Sequence, residues 1–139
     1  MFTKVLIPVD VSTPDDTQKL LGLAKTLTDP WGCELHVLTV IPNVGMAIVG
    51  SYFDDDIETK SREAVAAQLQ TAVATSGIKA KAHIRVGSVY DAVIEHANSL
   101  EADLIVIGAH QPELKDYLLG PNAARVVRHS KQSVLVVRD

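Results

Sequence analysis

The sequence predicts an α/β fold in which an open, parallel, five-stranded sheet in the order 3-2-1-4-5 is covered by helices on both faces. Three observations support this prediction. Five short apolar segments alternate with four stretches of helical periodicity, as in consecutive βαβ units. Most of the apolar segments are nearly continuous, which is typical of strands buried on both faces. The third segment alternates apolar with polar and charged residues instead, and this places it at an edge of the sheet.

Each element has its own local signal, taken here in chain order. The five strands are predicted at residues 4–9, 34–41, 79–86, 103–107 and 133–137. The first helix spans residues 14–28, the second runs from an acidic triplet at 54–56 to Gly77, the third follows Gly87 and Ser88 and ends near Leu100, and the fourth begins after Gly120. Ser12 or Thr13 is expected to cap the first helix. Residues 42–53 form a long loop, which we interpret as a lid or a partner contact.

Composition narrows the classes of function. The chain has 139 residues, 47% of them hydrophobic, and we expect one domain over residues 1–139. The formal net charge of -4 provides no basic field that would attract nucleic acid or anionic lipid. No apolar run approaches the roughly 18 residues that span a membrane, and the first residues resemble a strand, not a signal peptide. We therefore expect a cytoplasmic protein with neither a nucleic-acid nor a membrane partner.

Neither the cysteine nor the acidic triplet predicts a metal site. Cys33 is the only cysteine, which excludes paired thiolates, and its position at the start of an apolar strand favours a packing role. The carboxylates at residues 54–56 are explained by the dipole of the helix that they begin. Structural roles are predicted for four histidines, with the third strand presenting one of them on a solvated face: His36, His83, His96 and His129.

Residues 106–129 (VIGAHQPELKDYLLGPNAARVVRH) are the main functional candidate. A buried strand runs into Gly108, a polar loop follows, and Gly120 and Pro121 precede a helix. Such glycines allow backbone N–H groups and the helix dipole to converge on an anion, although they can also serve only to form turns.

Asp10 is expected to lie opposite this loop. In the order 3-2-1-4-5 the switch point falls between the first and fourth strands, and ligands bind there at the carboxyl ends of such sheets. Asp10 follows the first strand, so that it and the Gly108 loop form the two sides of the crevice. Two roles remain open for Asp10, a hydrogen bond to ribose or adenine and a cap on the first helix.

The chain as a whole resembles the universal stress protein family. Five segments carry the resemblance and together span nearly the whole chain: KVLIPVD, LHVLTVIP, GSVYDAVIEHA, ADLIVIGAH and LLGPNAARVVRHSKQSVLVVR. The loop H-x-P followed by YLLG is similar to that of the small enterobacterial-type branch. The resemblance implies a Rossmann-like sheet, a role in stress response and a homodimer. It also implies an adenine nucleotide such as ATP, ADP or AMP, with Mg²⁺ if the ligand is ATP.

Nucleotide-binding members of this family carry G-x-x-G, nine residues, then G and Ser or Thr around the phosphates. Gly108 and Gly120 match the outer glycines, whereas Gln111 replaces the middle one, the spacer is one residue short and Pro121 replaces the hydroxyl residue. Pro121 also brings no N–H donor. The resemblance therefore implies binding centred on the adenosine, by residues drawn from twelve positions: Pro8, Val9, Asp10, Val40, Ile107, Gly108, His110, Gln111, Gly120, Pro121, Asn122 and Ala123.

The leading functional hypothesis is a dimeric stress protein that binds an adenine nucleotide and acts without robust catalysis. The alternative is a nucleotide-independent dimeric interaction module with a degenerate phosphate loop and an unknown protein partner. No catalytic residues are predicted, because the chain lacks a P-loop and an H-x-G-H signature, and only weak ATPase activity is left open. The last strand, Ser133–Val137, is apolar and lies at an edge, so we expect it to pair with its copy in a homodimer.

Overall fold

The strands form one parallel sheet in the predicted order. The computed structural model describes residues 1–42, 55–109 and 121–138. Its strands are β1 (Lys4–Pro8), β2 (Glu34–Ile41), β3 (Lys81–Val86), β4 (Leu104–Gly108) and β5 (Ser133–Val137). They are ordered β3-β2-β1-β4-β5, and each neighbouring pair is parallel. The predicted sheet is therefore confirmed.

The helices connect successive strands, as βαβ units require. The described residues form α1 (Pro14–Thr28), α2 (Asp55–Ser76), α3 (Val89–Leu100) and α4 (Pro121–His129), with a 3-10 turn at Asp29–Trp31 after α1. Pro14 is tolerated in the first turn of α1 because that N–H has no intrahelical acceptor. Gly77 follows α2 with a φ of 73°, the left-handed conformation that commonly ends a helix. None of the helices in the described part of the chain is long and apolar enough to cross a membrane.

Both faces of the sheet are covered, as predicted. On one face, residues of β1, β2 and β4 pack against α1 and α2 in a core that includes Val5, Ile7, Val37, Val106, Leu20, Leu21, Ala24 and Leu69. On the other face, the core against α3 and α4 includes Leu6, Leu38, Ile105, Val93, Ala97, Ala123 and Val126. Burial of each large aliphatic side chain stabilises the fold by about 1.5–3 kcal/mol.

Four boundaries, in three of the strands, differ from the prediction by one or two residues. β1 ends at Pro8, although the N–H of Val9 still donates to the carbonyl of Leu38 at 2.8 Å. β3 begins at Lys81 instead of residue 79, because its ladder with β2 starts only where Lys81 lies opposite His36. β4 runs from residue 104 to residue 108, not from 103 to 107.

Asp103 lies just before β4 and ties it to the start of β1. Its carboxylate accepts hydrogen bonds from the N–H of Thr3 at 2.9 Å, the N–H of Lys4 at 3.0 Å and the hydroxyl of Thr3 at 2.9 Å. Burial raises the pKa of Asp103, but these hydrogen bonds outweigh it and hold the pKa below its ordinary value. The carboxylate thus fixes the amino ends of the two central strands.

The prediction of a solvated polar face on β3 was wrong for half of that face: Lys79 and Lys81 are exposed, but His83 and Arg85 are partly buried against α3. His83 Nε2 lies 2.8 Å from His36 Nδ1 on β2, and the two rings stack with centroids 5.0 Å apart. The ring of His96 on α3 lies 4.5 Å from that of His83. Arg85 Nε donates to His96 Nδ1 at 2.8 Å. These three rings are called the histidine cluster below. The alternation of apolar and polar residues within β3 could not predict the burial of His83 and Arg85, because the covering residues come from α3.

Burial favours the neutral form of two rings of the histidine cluster, His83 and His96. Burial lowers the pKa of His83, and neighbouring His36, Lys81 and Arg85 lower it further. Burial also lowers the pKa of His96 to about 4, again with contributions from neighbouring positive groups. A neutral ring is what the geometry requires, because Nδ1 of His96 must hold a lone pair to accept the bond from Arg85.

Replacing Asp103 with Asn is expected to destabilise the protein by about 1–2 kcal/mol at neutral pH, because an amide oxygen is a weaker acceptor for the N–H groups of Thr3 and Lys4. Urea unfolding would measure this loss. Asp15→Asn, in the first turn of α1, is the control, and we expect it to cost no more than about 0.5 kcal/mol. Since the folded pKa of Asp103 is depressed, the advantage of the wild type should shrink as the pH falls below the ordinary value of 3.8. Equal losses in both variants would contradict this role.

Acid is expected to destabilise the protein through His96. Its pKa falls from 6.5 in the unfolded chain to about 4 in the folded one, so stability is full above pH 6.5 and decreases as the pH falls towards 4. Between pH 7 and pH 5, urea unfolding should show about 1–2 kcal/mol more loss in the wild type than in His96→Gln. His129→Gln, at an exposed position, should keep the loss seen in the wild type. Parallel losses in the wild type and His96→Gln would rule out this source of acid sensitivity.

Candidate functional site

A cleft of about 790 Å³ opens at the carboxyl ends of β1, β2 and β4. β1 and β4 are neighbours in the sheet, but β1 continues into α1 on one face and β4 precedes α4 on the other. The cleft therefore lies at the switch point, where the connections leave room between the strand ends. This is the position that the strand order predicts for a ligand.

Asp10 shapes the side of the cleft that follows β1. Its Oδ1 accepts hydrogen bonds from the N–H of Ser12 at 2.9 Å and from the hydroxyl of Ser12 at 2.6 Å, which closes an Asx turn. The N-cap of α1 is Thr13, so helix capping by Asp10 is not observed. Its Oδ2 accepts no hydrogen bond from the described residues, and the side chain is exposed. One carboxylate oxygen therefore remains for a ligand.

The opposite side is formed where β4 ends. Ile107 is buried, whereas Gly108 is exposed at the cleft. A Cβ on Gly108 would meet only Leu20 Cδ2, at the ordinary contact distance of 3.8 Å. The N–H of Ala109 donates to the carbonyl of Val137 at 2.9 Å and continues the ladder with β5. The missing side chain therefore leaves open space in the cleft and does not relieve a clash inside the protein.

Most of the predicted site residues meet in this cleft. Of the twelve, eight line it: Pro8, Val9, Asp10, Val40, Ile107, Gly108, Asn122 and Ala123. Pro121 begins α4 and is not among the lining residues. The remaining three, His110, Gln111 and Gly120, lie outside the described residues, as do residues 43–53 of the loop predicted at 42–53.

Sequence reasoning missed several residues that helices and β2 bring to the cleft. They are Thr17, Lys19 and Leu20 of α1, Thr39 of β2, Val65 and Gln68 of α2, and Val89 of α3. Helical periodicity identifies which side of a helix faces the core, but it does not show which turn reaches a strand end. Thr39 did carry a signal, because it is a hydroxyl residue inside the otherwise apolar run VLTVI.

The lining of the cleft is typical of a small-molecule binding site. Apolar side chains form most of the walls, and a few polar groups lie among them. Among residues 1–42, 55–109 and 121–138, no group of three His, Cys, Asp or Glu side chains has a geometry that could hold a metal ion. Arg125 of α4 stacks on the ring of Tyr90, with 4.8 Å between its Cζ and the ring centroid, and neither residue lines the cleft.

The histidine cluster is separate from this cleft. His36, His83 and His96 lie where β2, β3 and α3 pack together, and none of them lines the cleft. Their ring nitrogens bond to each other and to Arg85. The cluster therefore belongs to the packing of the sheet edge.

Known proteins share both the sequence pattern and the fold. Universal stress protein G from Salmonella typhimurium is 35% identical over 143 residues, which cover 99% of this chain and 100% of that protein. The solved structure of MJ0577 from Methanocaldococcus jannaschii has a TM-score of 0.77 at 27% identity and covers 100% of this chain and 97% of that one. A universal stress protein solved in complex with cAMP has the same fold, with a TM-score of 0.68 at 22% identity over 99% of this chain and 97% of that chain.

The family itself is shown by a match along almost the entire chain. The sequence profile described as "Universal stress protein family" matches residues 1–138. This range includes every strand of the sheet and all the described residues that line the cleft. The chain therefore belongs to the universal stress protein family.

Proposed function

We propose that this protein is a dimeric cytoplasmic stress-response protein that binds an adenine nucleotide in the switch-point cleft and acts without robust catalysis. The observation that carries the proposal is the cleft itself, which brings Asp10, Val40 and Gly108 together from three strand ends. Its volume of about 790 Å³ lies in the range of small-molecule sites, roughly 300–1,000 Å³. The relative solved with cAMP supports the same class of ligand.

The adenosine end of the cleft offers more suitable contacts to a nucleotide than the phosphate end does. The free Oδ2 of Asp10 is an acceptor that suits a ribose hydroxyl, and the exposed position of Asp10 suits the sugar. Val40 and Ile107 provide apolar contacts for the flat base. Such a division, with polar groups at the sugar and apolar walls at the base, orients a nucleoside in one direction.

The phosphate end depends on the start of α4. Asn122 and Ala123 lie in its first turn, where backbone N–H groups have no intrahelical acceptor and the helix dipole favours an anion. Pro121 contributes no N–H there. We therefore expect the phosphates to add less affinity than the adenosine, and Mg²⁺ to arrive with ATP, held by its phosphates and by water.

Pro121 is also the observation that favours the alternative function. Pro121 provides no N–H at the first helical position, and this weakens the phosphate site. A weakened phosphate site is compatible with a nucleotide-independent dimeric module that has its own protein partner. For either function we expect no sustained phosphate release from ATP, because the Ser12 hydroxyl, which donates to the Asp10 carboxylate at 2.6 Å, is engaged in the Asx turn.

The proposed homodimer forms through β5. Among the described residues this strand pairs with β4 on one side only, so its other edge has backbone groups without a described partner. Leu135 is 37% exposed, and Val127 on the adjacent α4 is 44% exposed. Pairing of β5 with its copy about a two-fold axis would satisfy the edge and cover these apolar side chains.

Calorimetry of the nucleotide-stripped protein with ATP, ADP, AMP and cyclic AMP tests the binding. Asp10→Asn keeps the acceptor oxygen for Ser12 but removes the charge, so we expect about tenfold weaker binding, or about 1.4 kcal/mol. Asp91→Asn, on α3 and outside the cleft, is the matched control and should bind like the wild type. Absence of heat with all four nucleotides would overturn the proposal in favour of the interaction module.

Leu135→Lys tests the dimer. A charged side chain on the exposed part of β5 should oppose pairing of two edges, and we expect a shift from dimer to monomer in sedimentation velocity. Leu23→Lys is the control, because Leu23 is 39% exposed on α1, away from β5. A Leu135→Lys protein that remains dimeric at the same concentration would place the interface elsewhere.

A further inference from the structure

Three threonines are buried among the described residues, and one of them differs from the other two. Thr17 donates its hydroxyl to the carbonyl of Asp10 at 2.7 Å, and Thr28 donates to the carbonyl of Ala24 at 2.8 Å. Thr39 is 3% exposed, yet its hydroxyl makes no hydrogen bond to any described residue. It lines the switch-point cleft, so a partner can reach it from that side.

β2 presents the Thr39 side chain on the face of the sheet that α1 and α2 cover. Side chains alternate between the two faces of a strand, and Leu35 and Val37 share the face of Thr39 and lie in the core against α1 and α2. Valine has nearly the same shape as threonine and would pack there without a polar atom. The Thr39 hydroxyl has no protein partner among the described residues, and it is not one of their fully buried unpartnered side-chain atoms, so it opens on the cleft, where a ligand can bond it.

The geometry of the cleft indicates which part of a ligand reaches this hydroxyl. Pro8 of β1 lies opposite Leu38 of β2, so Thr39 is one residue beyond that level, beside the start of the segment that carries Asp10. Asp10 is exposed at the mouth, whereas Thr39 is buried in the wall. A nucleoside whose ribose contacts Asp10 therefore directs its base towards Thr39.

We propose that the Thr39 hydroxyl hydrogen-bonds the heterocyclic base of the bound nucleoside and is a specificity-determining residue of the site. This inference rests on the proposed nucleotide-binding function. The hydroxyl donates to a ring nitrogen or accepts from an exocyclic amino group, and adenine offers both. The side chains of Val40 and Ile107 pack with the core on the opposite face of the sheet and offer a base only apolar contacts at the strand ends. A site that hydrogen-bonds its ligand rejects analogues that lack the bonding atom, because the buried group is then left unpaired.

Thr39→Val separates this role from a structural one, because the variant should lose affinity for the ligand without losing stability. In calorimetry with adenosine and AMP, we expect the variant to bind about five- to tenfold more weakly than the wild type. In urea unfolding without ligand, its midpoint should be unchanged or higher, since an unpartnered hydroxyl has been removed. Thr28→Val is the matched control: it loses a bond to Ala24, so it should be less stable and bind adenosine normally.

Adenosine analogues identify the bonding atom. We would titrate the wild type and Thr39→Val with 1-deaza-, 3-deaza- and 7-deazaadenosine and with purine riboside, which lacks the amino group. The difference between the two proteins should disappear for the analogue that lacks the atom contacted by Thr39, and persist for the others. If the wild type binds adenosine and Thr39→Val binds it equally, or if every analogue keeps the difference, the inference is overturned while the proposed function stands. If the wild type binds neither adenosine nor AMP nor ATP, both are overturned.

Discussion

The structure depends on the complete burial of β1. Val5, Leu6 and Ile7 have no exposed surface, and they alternate between the two cores, so β1 requires a strand on each side and helices on each face. With β2 on one side and β4 on the other, right-handed connections send the following helices to opposite faces. The space between the diverging connections becomes the cleft. The cleft is thus a consequence of packing, and its particular side chains decide what the proposed site can bind.

The two ends of the central strands are stabilised in different ways. At the amino end, the Asp103 carboxylate accepts hydrogen bonds from the backbone of β1, so both strand starts are held by protein groups alone. At the carboxyl end, the carbonyl of Asp10 accepts the hydroxyl of Thr17 and Oδ1 closes a turn, but Oδ2 has no described protein partner. One carboxylate therefore completes the fold, whereas the other retains capacity for a ligand. The carboxylate oxygen that is available to a ligand therefore lies at the carboxyl edge of the sheet, which is where open parallel sheets bind ligands.

Sequence patterns could predict the strand order and eight of the lining residues, because both follow from local signals. Continuous apolar runs mark β1 and β4 as central, and Asp10 and Gly108 immediately follow or end those strands. The same reasoning failed at His83, since alternation in β3 reports the two faces of a strand but not the helix that covers one of them. It also missed Lys19 and Gln68, which reach the cleft only through the length and packing of α1 and α2. Contacts between elements distant in the chain have no local signature.

β2 shows why a polar residue in a core strand has to be judged by its partners and not by its type. His36 and Thr39 both interrupt an apolar run, and they lie on opposite faces because their positions differ by an odd number. The ring of His36 bonds to His83, so the protein itself satisfies that nitrogen and the residue is structural. Thr39 has no such partner among the described residues and borders the cleft. Because the Thr39 hydroxyl opens on the cleft and has no described protein partner, we assign it to the proposed ligand and not to the fold.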